Sequence, residues 1–238
     1  MENKLHLLCV GAHTGDLELQ IGAIAHKYVK NGHKVTFLHM TAGEKGAPPQ
    51  LSVEEFKEQK IEESKKAAKI LGVETMTLDY KDAELKANEA TVLHVAKIIR
   101  QLKPDIAITH WVHSMHPDHE ACPEIVQNAW LKAALDGFEI DGLPPHSLKG
   151  LFHSENWEDM KGYEPDIYID VSEEFNTYLE AISQYSFVMN SSSFRYYDYY
   201  KSLGTMRGCL ARVEYAQTLK YPDGANVHKV KEIPKFPL

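Results

Sequence analysis

His13 and Asp16 stand three residues apart in the run Gly11-Ala12-His13-Thr14-Gly15-Asp16-Leu17-Glu18. A second cluster, His113-Ser114-Met115-His116-Pro117-Asp118-His119, lies far downstream. Imidazoles and a carboxylate are the groups that hold a catalytic zinc ion, which usually takes three protein ligands and leaves a fourth position for water. His13 and Asp16 have a spacing that can bring both to one ion, with His119 as a third ligand. Pro117 suits the first position of a helix, so His119 falls in its first turn. The residue before a proline is pushed toward extended backbone. His116 is therefore expected to turn away from that helix toward the mouth of a site. Asp118 is placed to orient a neighbouring imidazole.

Positioning these groups requires a scaffold, and the apolar pattern supplies one. Short apolar runs at residues 5–10, 34–40, 75–80 and 104–110 read as strands. Between them, residues 17–29, 53–71 and 90–102 carry apolar positions at helical spacing, with Asn31-Gly32 and Gly72 as stop signals. A helix from Pro117 to about residue 135 follows. Further strands are expected near 150–153 and 166–169, a late helix at 171–187, and an extended arm over the last dozen residues. Strand and helix alternate with short connections. This predicts one α/β domain over residues 1–238: a Rossmann-like, mostly parallel sheet with helices on both faces. Ligands of such sheets sit beyond the carboxyl ends of the strands. His13 and Asp16 follow the first strand, Gly43 and Glu44 the second, Asp82 the third and His116–His119 the fourth. Four elements thus send polar residues to one edge.

The 238 residues include 43% hydrophobic and 25% charged residues, with a net charge of −8. Those proportions are ordinary for a globular domain. No clustered basic footprint suggests nucleic acid, no apolar stretch approaches a membrane span, and the first residues do not read as a signal peptide. Cys9, Cys122 and Cys209 are odd in number and widely spaced, which fits a reducing cytoplasm rather than a disulfide framework. Cys122, near the second cluster, reads as a small buried residue. The glycines of 11–22 lack the spacing of a dinucleotide fingerprint. The tyrosine-rich segment from Phe194 to Tyr200 reads as a lid or a subunit interface.

The two clusters resemble the signatures of the PIG-L/LmbE family of zinc-dependent N-deacetylases. The family's Ala-His-Pro-Asp-Asp motif stands here as Ala12-His13-Thr14-Gly15-Asp16, and its His-Pro-Asp-His motif is intact as His116-Pro117-Asp118-His119. Thr41-Ala42-Gly43-Glu44, the Glu-rich segment ending Leu71-Gly72-Val73, Asp170-Val171-Ser172 and Arg207-Gly208 extend the likeness over most of the chain. The resemblance implies a zinc-dependent hydrolase that removes an acyl group, usually acetyl, from an N-acyl amino sugar such as an N-acetylglucosamine conjugate. It implies Zn2+ on His13, Asp16 and His119. It implies that His116, with Asp118 behind it, stabilises the oxyanion or donates a proton. It also implies a homo-oligomer.

The chain departs from the family where the general base should stand, at Gly15. Thr14 replaces a proline, Lys60 an arginine and Tyr178 a lysine. A positioned base contributes roughly 10²–10⁴ in rate. Either the base is relocated, with Asp118 or His116 favoured over Glu18 and Glu44, or the protein is a non-catalytic metal- and sugar-binding member of the same fold.

Overall fold

The computed structural model describes residues 4–156 and 161–224. The expected arm at the end of the chain lies outside them.

Strands β1 (His6–His13), β2 (Lys34–Thr41), β3 (Glu74–Tyr80), β4 (Ile106–His110) and β5 (Gly150–Ser154) run parallel in the spatial order β3-β2-β1-β4-β5. Helices α1 (Asp16–Lys30), α2 (Val53–Leu71), α3 (Glu89–Leu102) and α4 (Pro117–Ala134) connect them. Both faces of the sheet are covered. Leu7 and Cys9 of β1 join a core with α1, α2 and later helices, whereas Leu8, Val10 and Ala12 join one with α3 and α4. This explains why β1 is buried along its whole length rather than alternating.

The chain after β5 departs from the sequence-based expectation. The helix expected at 171–187 is two helices, α5 (Phe175–Ile182) and α6 (Ser186–Asn190), separated by a turn at 183–185. The tyrosine-rich segment leads into a further helix, α7 (Tyr196–Ala211), and a last strand follows, β7 (Ala216–Lys220). β7 lies antiparallel between β5 and the edge strand β6 (Ile167–Asp170), completing a seven-stranded sheet in the order β3-β2-β1-β4-β5-β7-β6.

The strand order reverses between β1 and β4, because β1 is followed outward by β2 and β4 lies on its other side. This switch point opens a crevice at the carboxyl ends of the strands. His13 ends β1 and His110 ends β4, so the crevice receives imidazoles from both sides.

Candidate metal centre

Three side chains converge on one point at the crevice. His13 Nδ1 lies 3.1 Å from His119 Nε2 and 3.3 Å from Asp16 Oδ2, and His119 Nε2 lies 3.2 Å from the same carboxylate oxygen. Zinc bonds to nitrogen and oxygen of roughly 2.0–2.1 Å in tetrahedral geometry put ligand atoms about 3.3–3.4 Å apart. The three donor atoms already form a triangle of that size. The donor set, two imidazoles and a carboxylate, suits a zinc-like divalent ion.

The elements explain the convergence. Gly15, at φ 102°, turns the chain sharply between β1 and α1, and Asp16 is the first residue of the helix. The Asp16 carboxylate also accepts from the His13 backbone N–H at 2.8 Å, which fixes the two relative to each other. Pro117 occupies the first position of α4, with His116 in extended backbone at its N-cap. The local sequence thus delivers His119 from one side and His13 with Asp16 from the other.

A second layer holds these side chains. The far nitrogen of His13, Nε2, lies 3.1 Å from Asp82 Oδ1 and 3.3 Å from Asp118 Oδ2. A proton held on that nitrogen leaves the Nδ1 lone pair directed at the triangle, the usual means by which an outer carboxylate sets a ligand's tautomer. Asp118 is fully buried and accepts from the Ala83 and Leu85 backbone N–H groups, at 2.7 and 3.1 Å. It therefore anchors the loop after β3 that carries Asp82. Ala83 adopts a left-handed conformation, φ 58°, to make that turn.

His110 stacks on His119, with ring centroids 4.2 Å apart and planes 11° from parallel. Its Nε2 is 3.4 Å from Asp16 Oδ2. It is nonetheless a poor ligand, because Nε2 already accepts from the Ala12 N–H at 2.9 Å. Its other nitrogen, Nδ1, lies 3.0 Å from Asn156 Oδ1 and 3.2 Å from the Gln20 amide nitrogen. His116 is fixed in the same way: its Nδ1 accepts from the Asp118 N–H at 3.3 Å, leaving Nε2–H at the mouth of the cavity. The carboxylate facing that nitrogen is Asp82, 3.9 Å away. Asp118 touches the His13 ring rather than standing behind His116.

Burial and charge compete at each group. Burial favours a neutral His119 and brings its pKa down to about 4. Burial opposes ionisation of Asp16, but His119 and His13 outweigh it and hold the carboxyl well below its usual range. Burial likewise opposes charge on His13, yet Asp16, Asp118 and Asp82 raise its pKa well above the ordinary value. Burial and the charge on His13 both depress the pKa of His116.

The crevice continues into a cavity of about 330 Å³. Its walls include Asp82, Lys60 and the aromatic rings of Phe56, Phe187, Tyr196 and Tyr200. Tyr196 and Tyr200, four apart on α7, show that the tyrosine-rich segment contributes one face to the cavity. Among the candidate bases, Glu18 points away from it: the side chain is fully buried and its carboxylate accepts from the Gly15 N–H at 3.1 Å. Glu44 Oε1 accepts from the Asp82 N–H at 3.0 Å and so braces that loop. Two groups were not singled out by the sequence patterns. His39 is buried between Glu18 and the His13 carbonyl, with its Nδ1 3.2 Å from that oxygen. Phe187 fills the space beside Gly15: a Cβ there would lie 2.7 Å from the ring's Cζ.

An α/β fold that gathers histidine and aspartate side chains at its switch point offers a group able to hold a metal ion. Residues 8–130 match the PIG-L family, described as GlcNAc-PI de-N-acetylase, and the chain belongs to that family. It is 25% identical over 234 residues to a diacetylchitobiose deacetylase of Thermococcus kodakarensis, covering 93% of this chain and 85% of the relative. It is 22% identical over 232 residues to a 4-oxalmesaconate hydratase of Pseudomonas putida, covering 91% and 86%. The crystal structure of a 4-carboxy-2-hydroxymuconate hydratase from Pseudomonas putida superposes with a TM-score of 0.84 at 20% identity, over 97% of this chain and all of the other. No helix among the described residues is long and apolar enough to cross a membrane.

Proposed function

We propose that this protein is a zinc-dependent hydrolase that removes an acyl group from the nitrogen of an amino sugar or a related conjugate. The observation that carries the reading is the triangle of His13 Nδ1, Asp16 Oδ2 and His119 Nε2, with sides of 3.1–3.3 Å. The likeness to a diacetylchitobiose deacetylase over 93% of this chain supports the substrate class. A zinc ion there would act as a Lewis acid and bring the pKa of a bound water to about 7. The His116 Nε2–H, held outward by the Asp118 N–H on its other nitrogen, donates to the oxygen that gains charge as the amide carbonyl is attacked. Asp82 Oδ1, facing both His13 and His116, is the carboxylate placed to take the nucleophile's proton and pass it to the departing amine. Asp118 holds His13 and the Asp82 loop in register.

A second reading is favoured by Gly15. Phe187 fills the space beside the position where the family's base would stand, and one relative, matched over 91% of this chain, is a hydratase. The same donors could then promote addition of water across a conjugated double bond of an unsaturated oxo acid.

The test is a zinc-loaded protein assayed in parallel for acetate release from N-acetylglucosamine conjugates and for loss of ultraviolet absorbance from unsaturated oxo acids. Acetate release that falls at least a hundredfold in His116→Ala supports the first reading. Water addition without acetate release replaces it with the second. Stoichiometric zinc with neither activity across both panels leaves a binding protein.

A further inference from the structure

Lys60 is a buried cation without a counter-ion. It lies on α2, 7% exposed, and lines the cavity beside the metal triangle. Among the described residues no carboxylate oxygen lies within 4.0 Å of its ammonium, although the charge is out of water. The neighbouring acid on its own helix, Glu63, is turned elsewhere. Glu63 Oε1 accepts from the Ser186 N–H at 3.1 Å, at the start of α6, and from Gln59 at 2.8 Å. The only hydrogen bond Lys60 makes within these residues is long, 3.5 Å to the Gly43 carbonyl. Its ammonium rests 4.9 Å from the centre of the Phe187 ring.

The placement is close-fitting. A Cβ on Gly43 would lie 2.6 Å from Lys60 Nζ and 2.9 Å from His13 Cβ. The absence of a side chain at residue 43 therefore lets the ammonium approach the strand end that carries His13. A buried lysine is ordinarily paired, because an unpaired charge out of water costs several kcal/mol. Here burial pulls the pKa down, while the fields of Asp16, Asp82, Glu63 and Glu18 oppose that fall without any of them making contact.

We propose that the missing partner is supplied by the substrate: Lys60 receives a carboxylate of the molecule whose reacting group sits at the metal triangle. This rests on the hydrolytic or hydrating reading of that triangle and narrows its substrates to small organic acids, or to conjugates that carry one. A carboxylate suits the site better than a phosphate does. Lys60 is the one lysine or arginine among the residues that line the cavity, whereas a phosphate dianion calls for several donors or a helix N-terminus aimed at it. The surrounding rings, Phe56, Phe187, Tyr196 and Tyr200, form an apolar wall against which the rest of the molecule can lie.

The test uses a matched pair of probes, succinate and succinamide, with binding measured by calorimetry on the whole protein, zinc-loaded and chelator-treated. In the metal-free protein, where the probe has no ion to bind, succinate is expected to bind at least tenfold more tightly than succinamide. Lys60→Met keeps a side chain of similar length without its charge and should abolish that preference; Lys60→Arg should keep it. A wild-type protein that binds both probes alike overturns the proposal, whether or not the variants fold. So does a Lys60→Met protein that retains the preference. Zinc content, measured separately, reports on the metal reading: loss of zinc binding with the succinate preference intact would sink that reading and leave Lys60 as an anion site.

Discussion

At Gly15 one absent side chain has two structural correlates. The backbone there is in a region that side-chain-bearing residues rarely adopt, φ 102°, and the adjoining volume is taken by Phe187. Restoring the family's aspartate is therefore not a neutral change. Gly15→Asp alone is expected to destabilise the protein by about 1–3 kcal/mol through backbone strain, with a further cost from the ring. The double variant Gly15→Asp/Phe187→Ala should recover the steric part, read as a rise in the denaturant midpoint over the single variant. If the single variant is as stable as wild type, the loop has a freedom that its geometry denies. Asp118 presents the opposite case, a residue whose loss is felt by its neighbours. Asp118→Asn keeps the shape but removes the charge beside His13. Outer-shell changes of this kind typically cost 10–100-fold in metal affinity. Zinc affinity measured by competition with a chelator should fall within that range, with one zinc per chain still bound at saturation.

At the scale of elements, the parts fall into those written locally and those that depend on assembly. β1 through α4 were legible because each apolar run is bounded by its own stop or start signal: Gly72 closes α2 in a left-handed cap, and Pro117 opens α4. The meeting of His13, Asp16 and His119 was legible for the same reason, since each sits at a strand-to-helix turn or in the first helical turn. α7 and β7 were not, because α7 buries only Tyr200, Gly204 and Gly208 along its length and so lacks a continuous apolar stripe. Asp82 in contact with His13, His39 beneath the first loop and Phe187 beside Gly15 join residues that are far apart in sequence, and no spacing rule reports them. The end of α4 shows how such a distant contact acts on an element. Arg100, buried on α3, donates to the carbonyls of Lys132, Ala133 and Leu135 at that end and to Leu143 beyond it. The guanidinium both satisfies these acceptors and meets the negative end of the helix dipole. Arg100→Met is expected to cost about 2–4 kcal/mol, because hydrogen bonds to a charged donor are worth more than neutral ones and the carbonyls left behind are buried. Urea denaturation would show it; a loss below about 1 kcal/mol would mean that water replaces the guanidinium.

For the whole molecule, stability should depend on both pH and metal. His6, at the start of β1, sits with its ring between the Leu102 carbonyl and the Thr36 hydroxyl, and burial lowers its pKa from 6.5. The folded protein therefore binds fewer protons at this site than the unfolded chain. Its contribution is complete above pH about 6.5 and is lost as the pH falls from there toward the folded value. The melting temperature of wild type should drop between pH 7.5 and 5.5, and the drop should be smaller in His6→Gln; equal slopes would remove His6 from the account. Saturating zinc should raise the melting temperature of wild type and leave that of His119→Ala unchanged, since a ligand that binds only the native state stabilises it by mass action.

The position of β7 also constrains the order in which the molecule can be completed. β6 is made first but hydrogen-bonds to β7, and only β7 joins it to the rest of the sheet. During synthesis, residues 167–170 must wait until some fifty more have left the ribosome before they find their place. A chain stopped before Ala216 would lose two rows of the sheet instead of one, leaving the flank of β5 bare.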